Sequence, residues 1–218
     1  MRNIRIVAFA KAPLPGTVKT RLIPALGARG AAALARRMLD STLACALGAR
    51  VGPVELSMSP DPGADGWRDV TLPPAVERSA QGAGHLGARL ARAAERSIAR
   101  GERVMLLGTD CPSLSATLLR NAASALAETG AVIHCTADGG YALLGISRYD
   151  ELLFRGVQWG GPEVASATLR RFRHLGWPLH VGRTLHDIDV PRDLVHLPDG
   201  WITKIRTDNG KAARSESR

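Results

Sequence analysis

The chain has 218 residues, with 29 Lys+Arg against 20 Asp+Glu and a formal net charge of +9. Its 45% hydrophobic and 22% charged content excludes a disordered composition and suits one globular domain. Residues 1–39 carry eight basic side chains and no acid, residues 201–218 sum to +3, and residues 40–200 to −2. A nucleic-acid polymer calls for basic side chains spread over a face or helix, so this distribution argues against one. Three widely spaced cysteines without a CxxC pair exclude a disulfide framework and a zinc cage, and they predict a reducing compartment. The apolar run at residues 6–10 is too short for a signal peptide, and no stretch approaches the length of a membrane span. The expectation is a cytoplasmic protein with no membrane partner; a homo-oligomer is left open.

In chain order, residues 4–10 form a branched apolar run that predicts a buried first strand. Pro13, Pro15, Gly16 and Pro24 forbid one regular helix over residues 11–24, which reads as an ordered loop. Helical spacing covers residues 28–47, followed by a strand at 54–58 and a Pro/Gly connector at 59–74. The glycine-rich residues 81–87 lead into a helix ending near Gly101, then a strand at 104–107. A helix at 115–128, strands at 131–135 and 142–146, a helix at 162–174, a strand near 179–181 and a short helix around Leu194 complete the pattern. Strands alternating with helices predict an α/β fold, a three-layer α/β/α sandwich around a mostly parallel sheet, with residues 1–200 as one domain and 201–218 as a basic, flexible tail. The loops after the strands at 4–10, 104–107 and 131–135 should converge on the sheet's carboxyl edge, where such folds bind ligands.

The first loop, Lys11-Ala-Pro-Leu-Pro-Gly-Thr-Val-Lys-Thr-Arg, places Lys11, Lys19 and Arg21 between a strand end and a helix start. Fixed backbone amides, an ammonium and a guanidinium match the needs of a diphosphate. The Gly16/Lys19 spacing is not that of a Walker loop. Asp110 follows an apolar strand and reads either as a helix N-cap or as a ligand for a hard cation bridging phosphates. Asp187 and Asp189 have the spacing that points both to one face of an extended chain, or they cap the helix after Pro191. Asp138-Gly139-Gly140-Tyr141 is a turn signal, and its glycines also permit close approach of a ligand. Cys111 reads as packing, and the six histidines show no metal-hydrolase spacing.

Taken together, Lys11-Ala-Pro-x-Pro-Gly-x-Val-Lys-Thr-Arg-Leu, Gln81-Gly-x-Gly-x-Leu-Gly, Gly108-Thr-Asp-x-Pro-x-Leu, Asp138-Gly-Gly-Tyr-x-Leu-x-Gly, Trp159-Gly and Asp187-Ile-Asp-x-Pro-x-Asp-Leu, in this order, resemble the DUF2064 family. That family is glycosyltransferase-A-like and related to phospholactate guanylyltransferases and molybdenum-cofactor nucleotidyltransferases. The resemblance spans about residues 4–196 and implies a nucleotide-diphospho-sugar transferase fold. It implies that Lys11, Pro15, Gly16, Lys19, Thr20 and Arg21, with Gln81, Gly82, Gly84, Leu86 and Gly87, surround the nucleotide. It further implies Mg²⁺ or Mn²⁺ on Asp110 with Asp189 or Asp187, a catalytic set of Asp110, Asp138 and Lys19, and an acceptor side at Gly139, Gly140, Tyr141 and Trp159. His85 and Ala88 stand where the family pattern has acidic residues. The expected partners are a nucleotide sugar or nucleotide donor and a small-molecule acceptor. The leading expectation is glycosyl transfer from a nucleotide-diphospho-sugar; the alternatives are nucleotidyl transfer with pyrophosphate release and a catalytically degenerate nucleotide-binding module.

Overall fold

The structure, a computed structural model, describes residues 3–203 and 205. Seven strands, β1 (Ile4–Lys11), β2 (Val54–Ser59), β3 (Val76–Ala80), β4 (Arg103–Gly108), β5 (Ala131–Cys135), β6 (Tyr141–Ile146) and β7 (His180–Val181), form one sheet in the order β3-β2-β1-β4-β6-β5-β7. All neighbours are parallel except β6, which runs antiparallel to β4 and β5. Alternation along β1 explains the layering, because successive side chains leave opposite faces of the pleat. Ile6 and Ala8 face a core shared with helices α1 (Ile23–Ala49) and α3 (Ala116–Thr129), through Leu39, Leu43, Leu119 and Leu126. Val7 and Phe9 face α2 (Leu86–Ala99) and α4 (Val164–His174), through Leu90, Ala94 and Phe172. Full burial of each large side chain contributes about 1.5–3 kcal/mol, so the three-layer α/β/α sandwich expected from the sequence is held from both faces of the sheet.

Several boundaries move for local reasons. The first helix starts at Ile23 rather than residue 28, because Pro24 is tolerated in its first turn, yet Gly27 at φ 71 interrupts it where regular helix was expected to begin. The strand β3 is missing from the sequence reading. Its residues Val-Glu-Arg-Ser-Ala have little apolar content because it is a sheet edge, with Val76 as its one buried residue. The connector before it is not featureless: a 3-10 turn at Asp65–Trp67 buries the Trp67 ring, whose indole N–H donates to the Pro60 carbonyl at 2.8 Å.

A third cluster positions the site. Leu22, Leu26, Leu34 and Met38 enclose Ile188 and Ile205, which brings the chain after β7 against the start of α1. Trp201 lies under the Arg37 guanidinium at 4.5 Å. The remainder of the expected tail, residues 206–218, lies outside the described residues. Among the described residues no helix is long and apolar enough to cross a membrane.

Candidate functional site

The strand order reverses between β1 and β4, and a cavity of about 640 Å³ opens beyond their carboxyl ends. Lys11 ends β1 there, and Gly108, Thr109 and Asp110 follow β4. Asp110 is not an N-cap: α3 begins six residues later and is capped by Ser115, whose hydroxyl accepts from the Leu118 N–H. The Asp110 carboxylate is instead half exposed on the cavity wall, and its carbonyl accepts from the Ile188 N–H at 2.9 Å. That one backbone bond, with Ile188 buried in the third cluster, delivers Asp189 to the same wall. Helix capping beyond Pro191 falls to Asp193, which accepts from the Asp189 and Val190 N–H groups.

Lys19 joins the two carboxylates. Its nearly buried ammonium lies 2.9 Å from Asp110 and 3.6 Å from Asp189, and the Arg21 guanidinium lies 2.6 Å from the other Asp189 oxygen. Lys19 holds a left-handed backbone, φ 48 and ψ 40, which a non-glycine residue adopts at a cost of about 1 kcal/mol or more. The strain sits where the side chain must turn inward from an exposed loop. Asp187 is half buried nearby. Burial pushes its carboxyl up to about 6, and repulsion from Asp138 and Asp189 adds to this against the pull of Lys19. Burial, reinforced by Asp187 and Asp110, also raises the Cys111 thiol far above its ordinary value, which makes it a poor nucleophile.

The opposite wall is the start of α2. His85 is its N-cap and accepts from the Ala88 N–H through Nδ1 at 3.3 Å. His85 and Ala88 therefore occupy the two positions of a capping box, the arrangement that favours acidic residues there. Gln81 is buried, and its amide nitrogen donates to the Ala10 and Ser57 carbonyls, closing the ends of β1 and β2. Arg89, absent from the sequence-based site, lines the cavity and donates to the Gly84 carbonyl at 2.8 Å and to Gln81 Oε1 at 3.0 Å. Its spacing of four from His85 was the available signal, since i and i+4 share a helix face.

Of the sequence-predicted residues, the structure gathers Lys11, Lys19, Thr20, Arg21, Gln81, Gly84, Leu86, Asp110 and Asp189 around this cavity. Pro15 and Gly16 stand exposed on the loop, and Gly82 packs under Arg92. Asp138 is held in its own turn, accepting from the Thr136 hydroxyl and the Gly140 N–H. That turn joins β5 to β6 as the Asp-Gly signal predicts, and Gly139 is needed because a Cβ there would lie 1.8 Å from the Pro162 carbonyl oxygen. At Gly140 a Cβ would lie closely, at 3.0 Å, against the Thr136 hydroxyl. Gly87 faces Trp159, whose indole nitrogen would be 2.1 Å from a Cβ at that position, and Tyr141 meets Trp159 edge to face at 6.3 Å. Gly87, Tyr141 and Trp159 thus pack together at the first turn of α2, while Gly139 and Gly140 serve the turn between β5 and β6.

The model of a family described as an uncharacterized protein conserved in bacteria, DUF2064, matches residues 42–161, more than half of the chain. The chain belongs to the DUF2064 family. This DUF2064 protein is 27% identical to a provisionally assigned nucleotide-diphospho-sugar transferase from Desulfovibrio desulfuricans, with a TM-score of 0.84 over 99% of this chain and 98% of the other. It shares the fold of Rv0371c from Mycobacterium tuberculosis in complex with manganese (17% identity, TM-score 0.56, 91% and 99% covered) and of a cytidylyltransferase from Leptospira borgpetersenii (13%, 0.59, 98% and 96%). The fold is that of the nucleotide-diphospho-sugar transferases. A comparison with curated proteins returned no match.

Whether the site suits a divalent ion can be asked of its donors. Among the described residues no three His, Cys, Asp or Glu side chains form a ready cage. Mg²⁺ and Mn²⁺ sites in phosphate chemistry need fewer, commonly one or two carboxylates completed by phosphate oxygens and water. Asp110 and Asp189, two exposed carboxylates drawn to a single cationic point, are hard donors of that kind. The donor set fits.

Proposed function

We propose that this DUF2064 protein is a metal-dependent transferase that uses a nucleotide-activated donor, most directly a nucleotide-diphospho-sugar. The observation that carries the reading is the Lys19 ammonium held between Asp110 and Asp189 at the strand-order reversal, with Lys11, Arg21 and Arg89 on the same cavity. A diphosphate placed there meets cations from two walls and a backbone fixed by the proline-rich loop. Lys19 and Arg21 neutralise its charge and orient it, and Gln81 fixes the cavity floor by tying β1 to β2. Asp110 and Asp189 would hold the divalent ion, which supplies electrostatic stabilisation of the departing phosphate charge. This is catalysis by position and preorganised charge. Asp138, already engaged within its turn, and the less acidic Asp187 are the carboxylates near the carboxyl edge from which a proton acceptor would come. The free thiols of Cys45, Cys111 and Cys135 accord with a reducing cytoplasm.

Nucleotidyl transfer is the second reading, favoured by the cytidylyltransferase among the fold's likenesses. Incubation with Mg²⁺ or Mn²⁺ and a panel of nucleotide sugars and nucleoside triphosphates separates the two. Nucleoside diphosphate release supports glycosyl transfer, and pyrophosphate release supports nucleotidyl transfer. Metal-dependent binding without turnover marks a degenerate module, and no binding at all removes the reading altogether.

A further inference from the structure

A lysine that binds the diphosphate must turn its ammonium toward phosphate oxygens, yet Lys19 points at carboxylates, 2.9 Å from Asp110 Oδ1 and 3.6 Å from Asp189 Oδ1. A hard ion such as Mg²⁺ sits about 2.0–2.1 Å from its oxygens. An ion shared by those two atoms would crowd the ammonium, and like charges at that separation repel strongly. The other oxygen of Asp189 is engaged as well, since Oδ2 accepts from Arg21 Nη1 at 2.6 Å. Charge points the same way. Lys19 and Arg21 against Asp110 and Asp189 make a neutral cluster, so a bare divalent ion would add two uncompensated positive charges. On a diphosphate the ion carries its own counter-charge, and the phosphate oxygens offer the ammonium a new partner.

We propose that Lys19 locks the metal site: without nucleotide its ammonium stands in for the divalent ion between Asp110 and Asp189, and the site takes the metal–diphosphate complex as one ligand rather than the free ion. The inference rests on the metal-dependent reading of this cavity and adds the form in which its ligand enters. The loop suits such an exchange. Val18 and Leu22 are buried on either side and hold the backbone, so the exchange is a swing of the flexible four-carbon stem from carboxylate to phosphate. The left-handed backbone at Lys19, φ 48, keeps the nearly buried side chain turned inward until then.

Binding of Mn²⁺, read from the loss of the free ion's electron paramagnetic resonance signal, tests the lock without turnover, with inorganic pyrophosphate as the diphosphate. Lys19→Met keeps the length of the stem and removes its charge, and it should bind Mn²⁺ alone about tenfold tighter than wild type or more. Lys11→Met, the same change in net charge on the same cavity, should show no such gain. Preformed Mn²⁺–pyrophosphate should reverse the order, with wild type binding it more tightly than Lys19→Met. Wild-type crystals soaked in MnCl₂ should give an anomalous peak at Asp110 and Asp189 only when pyrophosphate is added, with the Lys19 ammonium on a phosphate oxygen. Free Mn²⁺ bound as tightly by wild type as by Lys19→Met overturns the lock and leaves the metal site standing. An equal gain in Lys11→Met also overturns it, by making the effect one of net charge. Mn²⁺ bound by neither wild type nor Lys19→Met, with or without pyrophosphate, removes the metal reading and the lock together.

Discussion

Two clusters of charge sit at opposite ends of the same strands and have opposite characters. At the amino ends, Arg5 of β1 is buried and bonded to Glu77 and Glu102 at 2.6 Å and to Glu55 at 3.4 Å, while Arg96 of α2 and Ser79 complete the Glu55 shell. At the carboxyl ends, Lys19 and Arg21 meet Asp110 and Asp189, but those carboxylates are 51% and 40% exposed and open to a cavity. The first cluster buries its central pair, Arg5 and Glu55, among its own members, with Glu77 at the sheet edge reaching solvent. The second has the same residue types with acceptor capacity left over, and its central lysine bears backbone strain. Unused valence facing a cavity, rather than charge itself, distinguishes a candidate site from a structural ion network.

The comparison can be broken at either end. The largest expected effect is on Arg5→Ala, which strips Glu102 and Glu77 of their close cationic partner and leaves Glu55 to Arg96 and Ser79, and should cost about 3 kcal/mol in urea denaturation; nucleotide affinity of the folded fraction should be unchanged. Lys19→Ala should reverse that pattern, weakening nucleotide binding by about tenfold to hundredfold in calorimetry with stability little altered. Asp110→Asn should remove about tenfold or more of the metal-dependent part of that affinity and none of the metal-independent part. Equal losses with and without metal would take Asp110 out of the metal site.

Asp187 gives a smaller, pH-dependent test in metal-free protein. Its carboxyl is raised from 3.8 to about 6 on folding, so the native state binds more protons across that window and stability falls as pH rises through it. Asp187→Asn should therefore be more stable than wild type above the window, by about 1 kcal/mol after solvent screening, and equal to it below. The smallest effect is expected of His85→Asp, a better N-cap, at about 0.5 kcal/mol of added stability. Gain of turnover in this variant would show that the departure at position 85 matters to the cavity as well as to the helix.

Much of this was legible in the chain. Apolar β1 with its Pro/Gly punctuation, the helix after Gly27, the Asp-Gly turn and the strand before Asp110 all announce themselves, because their signals are local: period, punctuation and turn chemistry. β3 did not, since an edge strand buries only one residue of five and lacks the apolar run that marks a strand. Arg89 went unseen because its spacing of four from His85 puts the two on one helix face without saying that this face meets the cavity, which the packing of α2 on the sheet decides.

The sequence by itself determined the family, the α/β alternation and the residue types at the carboxyl edge, for these follow from pattern and motif order. Tertiary structure alone decided which readings of the ambiguous residues hold. Asp110 and Asp189 are freed for the cavity because Ser115 and Asp193 do the capping, and they meet because Ile188 is buried and bonded to the Asp110 backbone. Gly87 and Tyr141 pack against Trp159 and Gly139 against Pro162, because contacts between segments far apart in sequence fix where a side chain ends up, and motif order does not carry that information.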